Sequence, residues 1–155
     1  MASAHDVPMA LRAAYLAMHR QTDGRLAKHG ATADQFVLLG LLARRDGVTQ
    51  QELVRRASSD PNTIRAMLVL LEKRGLVARS GHPTDRRARS VILTRRGRLI
   101  YQRLLVETES IRKRLRAALR PDEADTVVEF LARIAKAMAP SPAGRPARPP
   151  KGEKR

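Results

Sequence analysis

The sequence predicts a mainly α-helical fold with one small β-hairpin, and three observations predict it. Apolar residues recur at helical spacing through most of residues 8–138. Aromatics make up only 3% of the chain, so the core must be built from Leu, Val, Ile, Ala and Met, a palette that suits packed helices better than strands. Between residues 76 and 94 the period shortens, and two β-branched runs flank a stretch rich in turn formers.

Leu11, Tyr15, Met18, Thr22 and Leu26 form one stripe, predicting a first helix over residues 8–29 that Gly30 ends. Thr32 and Gln35 have the spacing of a capping box and open a short helix with Phe36, Leu39 and Leu42 inward. Asp46-Gly47 marks a turn. Thr49 and Glu52 repeat the capping-box spacing and open a helix over residues 50–57. After the break Ala57-Ser58-Ser59, Asp60 offers a cap oxygen and Pro61 sits where its missing N–H costs nothing. This helix runs to about Arg74 with Ile64, Met67, Leu68 and Leu71 inward, and Gly75 stops it.

Residues 76–80 and 90–94 then read as strands, joined through Gly81, Pro83 and Asp85. One long helix is expected over residues 95–119, with Leu99, Leu104, Ile111, Leu115 and Leu119 along it. A last helix over residues 121–138 begins Pro121-Asp122-Glu123, acids where the helix dipole favours them. Residues 140–155 hold five of the nine prolines and read as a disordered basic tail.

Lys and Arg number 31 against 15 Asp and Glu, a formal +16. The tail accounts for +4, which leaves +12 on residues 1–139, so the basicity belongs mainly to the folded part. Such an excess favours polyanionic partners through counterion release. With no cysteine, disulfides, thiolate metal sites and cysteine nucleophiles are excluded. No apolar run approaches the length of about 20 residues that spans a bilayer, and the N-terminus lacks a secretory signal, so a cytoplasmic protein without membrane attachment is expected.

Two helices joined by a short turn and followed by a hairpin is the order of a winged helix-turn-helix, flanked here by helices suited to dimerisation. In such a module the second helix enters the major groove N-terminus first. The expected DNA-binding residues are therefore Asp60 as cap, then Asn62, Thr63 and Arg65. Asn pairs bidentately with adenine and Arg with guanine, and Thr63 suits a phosphate or a thymine methyl. Seven arginines and one acid lie between residues 79 and 98. Of these Arg86, Arg87 and Arg89 occupy the hairpin tip, where arginine suits a narrow minor groove, with Asp85 as a brace for a neighbouring arginine.

The stretches TQQELVRRASSDPNTIRAMLVLLEKRGLVARS and PTDRRARSVILTRRGRLI resemble the multiple antibiotic resistance regulator (MarR) family. The segment Leu71-Glu72-Lys73-Arg74-Gly75-Leu76-Val77, the triplet Asp85-Arg86-Arg87 and the junction Leu93-Thr94-Arg95-Arg96-Gly97 occur in the family's order and spacing. The resemblance implies one winged helix-turn-helix domain over residues 1–139, with a DNA-binding lobe near 32–94 and dimerisation helices near 8–29, 95–119 and 121–138. It implies Arg87 as the minor-groove arginine with Asp85 as its partner, residues 60–70 as recognition helix, and a repressor released by a small aromatic or amphiphilic ligand. Ala66 departs from the family's frequent polar or basic residue, and Val69 and Leu70 stand where charge is common.

Tyr15, His19, Phe36 and Tyr101 are the candidate ligand-binding residues, combining ring faces with a protonatable group. Ordinary core packing accounts for them equally well. The four histidines lack metal-ligand spacing, and no catalytic arrangement or cofactor motif is present, so neither metal, cofactor nor enzymatic activity is expected. The expected partners are double-stranded DNA with a near-palindromic operator, a second copy of the chain and a small effector. A non-specific architectural DNA- or RNA-binding protein is the alternative.

Overall fold

The computed structural model describes residues 1, 3, 5–45, 47–81 and 89–139, with Arg89 as backbone only. It divides into two compact units, Met1–Arg114 and Leu115–Arg155. In order, the first unit contains α1 (Asp6–Leu26), a 3-10 turn (Ala27–His29), α2 (Ala33–Arg44), β1 (Val48–Thr49), α3 (Gln50–Arg56), α4 (Pro61–Lys73), β2 (Val77–Gly81), β3 (Arg89–Leu93) and α5 (Arg95–Glu107). A further helix, α6 (Glu109–Ala117), runs across the division, and the second unit holds α7 (Glu123–Met138).

The expected caps form. Thr32 and Gln35 close a complete capping box on α2, and Gly30 ends the preceding turn at φ +62°. The Thr49 hydroxyl accepts the Glu52 amide at 3.2 Å, but the reciprocal half of that box gives way to charge. The Glu52 carboxylate instead meets the Arg56 guanidinium at 2.5 Å, with Arg45 at 3.5 Å.

One apolar core holds the first unit together: Leu38, Leu39 and Leu42 of α2, Leu53 of α3, Ile64, Leu68 and Leu71 of α4, then Leu76, Val77, Val91, Leu93 and Leu104. Each buried aliphatic side chain contributes about 1.5–3 kcal/mol of transfer free energy. The inward residues of α3 and α4 share this cluster, which fixes the angle at which α4 presents its opposite face.

The two expected strands pair as a hairpin, and a third strand joins them, in the order β1-β3-β2. Val48 pairs with Val91 and Thr49 with Ser90, while Val77 to Gly81 pair with Leu93 to Arg89. A two-residue strand is too short to show a period, so β1 leaves no mark in the sequence pattern. The helix expected over residues 95–119 is broken at Thr108. Its hydroxyl donates to the Leu104 carbonyl at 2.8 Å, the same oxygen that accepts the Thr108 amide at 3.1 Å. The guanidinium of Arg112 takes the Leu105 carbonyl at 2.8 Å.

The junction Leu93-Thr94-Arg95-Arg96-Gly97 has a specific mechanical role. Thr94 accepts the Gly97 amide at 2.9 Å and donates to the Gly75 carbonyl at 2.7 Å, tying the start of α5 to the end of α4. A Cβ on Gly97 would lie 2.0 Å from the Leu76 carbonyl oxygen, so only glycine fits.

Candidate nucleic-acid interface

The turn between α3 and α4 is tight. Ser58 takes φ +49°, a left-handed conformation unusual for a residue with a side chain, and Ser59 N–H donates to the Val54 carbonyl at 3.1 Å. Asp60 then fixes where α4 begins: Oδ1 accepts the Thr63 amide at 2.9 Å and Oδ2 accepts the Thr63 hydroxyl. Those two bonds, hydroxyl first, hold the Asp60 carboxyl below the usual carboxylate range. Both oxygens are thus engaged within the cap, so what Asp60 gives this face is the helix start.

With Ile64, Leu68 and Leu71 buried, the 3.6-residue period turns Asn62, Arg65, Ala66, Val69, Leu70 and Lys73 outward, and all six are exposed. Asn62, Thr63 and Arg65 therefore lie together on the exposed first two turns. The exposed Arg95 and Arg96 stand at the N-terminus of α5. Cations there oppose the helix dipole, an arrangement that becomes favourable when an anion binds. Arg79 of the hairpin has another use: it packs toward Glu72, with Nε 3.4 Å from Oε2 but outside hydrogen-bonding alignment. Asp85, Arg86 and Arg87 lie outside the described residues, and of Arg89 only the backbone is described, opposite Gly81.

The four candidate ligand residues fall into two pairs. Tyr15 and His19 stack on α1, centroids 5.4 Å apart, with Oη 3.4 Å from Nδ1. Phe36 and Tyr101 meet at 5.6 Å between α2 and α5, packed against the core. Sequence reasoning missed Asp23. Its Oδ2 lies 3.2 Å from His19 Nε2, and its Oδ1 accepts the Ala33 amide at 2.6 Å. The spacing His19 to Asp23 is one helical turn, but the contact with Ala33 is tertiary and has no local signal. Among the described residues no group of three or more His, Asp or Glu is placed to hold a metal ion, and no helix is long and apolar enough to cross a membrane.

Residues 31–88 match the model of the MarR family. The chain is 24% identical over 132 residues to the HTH-type transcriptional repressor MdtR of Bacillus subtilis, covering 85% of each. It also superposes on the transcriptional repressor CouR bound to a 23-mer DNA duplex, with a TM-score of 0.72 and 32% identity over 81% of this chain and 89% of that one. The chain belongs to the MarR family of transcriptional regulators. A third similarity is to Bordetella bronchiseptica BpsR, whose DNA binding is regulated by 6-hydroxynicotinic acid: TM-score 0.76, 27% identity, 87% of this chain and 96% of that one. In this winged helix-turn-helix fold, α3 and α4 are the helix-turn-helix, and β2 and β3 are the strands of the wing.

Proposed function

We propose that this MarR-family regulator represses transcription by binding a near-palindromic duplex operator as a homodimer, without enzymatic activity. On this reading α4 lies in the major groove, with Asn62 and Arg65 at base edges and Thr63 beside them. Arg86, Arg87 and Arg89 reach the adjacent minor groove, Asp85 bracing Arg87. The observation that carries it is the outward face of α4: a capped, solvent-facing helix start with bidentate-capable side chains. A regulator of this kind works where the chromosome is, in the cytoplasm.

Pairing is supported by bare apolar surface. Leu26 is the one buried residue on α1, while Val7, Met9, Tyr15 and Met18 are exposed. No residue of α7 is buried, and Val128, Phe130, Leu131, Ile134 and Met138 face solvent. A second copy covering these helices sets two recognition helices about 34 Å apart. A small aromatic or amphiphilic effector, releasing the repressor, is the further element; the Tyr15–His19 and Phe36–Tyr101 pairs suit an aromatic acid, and the similarity to BpsR favours one.

The test is fluorescence anisotropy of the full chain on its own upstream DNA, against a scrambled duplex and an RNA duplex, across a salt series. A preference of about a thousandfold or more for the upstream DNA at physiological salt is expected. Equal affinity for all three would assign the chain to non-specific architectural binding.

A further inference from the structure

We propose that α4 reads thymine through an apolar strip formed by Ala66, Val69 and Leu70, so that each operator half-site presents thymine 5-methyl groups to it. This readout presupposes α4 in the major groove, the placement proposed above.

The strip is a property of the helix geometry. Asn62, Ala66, Val69 and Lys73 follow one another at spacings of four, three and four residues, a single line along the face opposite Ile64, Leu68 and Leu71. From Asn62 to Lys73 that line is about 16 Å long, a length that lies within one major-groove crossing. Val69 and Leu70 are each 51% exposed, although their length and hydrophobicity would suit a core. A β-branched valine on an exposed helix face gains neither from helix propensity nor from burial, so the fold of the first unit gives no reason for it.

The surroundings select the occupant. Exposed Arg65 and Lys73 bracket the strip, and the one acid of α4, Glu72, faces Arg79. A polyanion satisfies those cations, and in the major groove the one apolar group a polyanion offers is the C5-methyl of thymine. Thr63 points the same way, because its hydroxyl proton is engaged by Asp60. Asn62 ahead of the strip prefers adenine and Arg65 guanine, so a half-site combining a polar, purine-reading end with a thymine-bearing end is the expected pattern.

Deoxyuridine tests this without changing any hydrogen-bonding group. The operator preferred by the full chain is prepared with every thymine in the half-sites replaced by deoxyuridine, then singly at each position. Wild type should bind about three- to fivefold more weakly for each methyl removed opposite α4, and be indifferent to replacement elsewhere. The exposed double substitution Val69→Ser, Leu70→Ser, which leaves Ala66 and Thr63 in place, should lose most of the thymine–uracil difference while keeping its preference over scrambled DNA. Unchanged wild-type affinity on the uracil operator overturns the proposal. So does a Val69→Ser, Leu70→Ser protein that retains the full thymine–uracil difference, the result expected if another protein covers the strip. Absence of any preference over scrambled DNA on thymine probes is a separate result: it removes the placement of α4 and this readout with it.

Discussion

Arg74, at the C-terminal end of α4, donates from Nη1 to the Gly30 carbonyl at 2.7 Å and from Nη2 to the His29 carbonyl at 3.3 Å. The end of α4 is thereby tied to the turn after α1. The same turn reaches α5: Lys28 Nζ lies 2.7 Å from Glu107 Oε2, and His29 Nε2 lies 3.2 Å from Oε1, at ion-pair range but out of hydrogen-bond alignment. Three helices that differ in expected function, one for DNA and two for pairing, meet at one guanidinium and one carboxylate.

Arg74→Met removes two charge-assisted bonds and leaves the Gly30 and His29 carbonyls to water. A loss of about 1–2 kcal/mol in urea unfolding is expected. Arg74→Lys should recover only part of it, because an ammonium cannot reproduce the fork. Unfolding free energies equal to wild type for both would show the tie to be energetically idle.

Gly97→Ala is expected to be far more damaging than an exposed glycine substitution. Its Cβ would collide with the Leu76 carbonyl, a backbone atom that cannot rotate away. A loss of about 3 kcal/mol is expected by chemical denaturation. Thr94→Val at the same junction removes a cap and the bond to Gly75, and should cost about 1–2 kcal/mol. A Gly97→Ala protein of normal stability would mean that the α4–α5 junction is looser than described.

Asp60 gives a pH signature. The Thr63 hydroxyl and amide lower its pKa in the folded protein. The stabilisation it contributes is therefore fully present above the unfolded-state pKa and is lost as pH falls through the folded one. Carbon-detected NMR titration should find the Asp60 carboxyl titrating below a free aspartate. Thr63→Val should move it upward but not all the way, since the amide bond remains. An unshifted Asp60 in wild type contradicts the cap geometry.

Pairing through the terminal helices predicts a specific failure. Leu131→Asp with Ile134→Asp places two carboxylates on the bare face of α7. Sedimentation should move from dimer to monomer, while removal of residues 140–155 should leave the dimer intact. Dimers that survive the double substitution would place the contact elsewhere.

Much of this was legible in the chain because the relevant signals are local. Asp60 and Pro61 announce the start of α4, Thr32 and Gln35 that of α2, and the switch of period at residue 76 announces the wing. What escaped is tertiary. Strand β1 exists only because Val48 and Thr49 find β3, and the break at Thr108 coincides with the Arg112 guanidinium reaching back to the Leu105 carbonyl. Ser58 adopts a backbone conformation usually signalled by glycine or asparagine, so its tight turn carried no warning. Pattern alone named Tyr15, His19, Phe36 and Tyr101, but which rings meet is a tertiary fact: Tyr15 with His19, and Phe36 with Tyr101.

Base recognition by the exposed start of α4 is measured most directly by selecting preferred sites from a randomised duplex library with wild type and with Arg65→Ala. Wild type should return a near-palindromic motif. Arg65→Ala should return the same motif with preference relaxed at one base pair in each half, a change of about 1–3 kcal/mol at that position. Identical motifs from the two proteins, or no motif from wild type, would contradict the assignment of α4 as the reading helix.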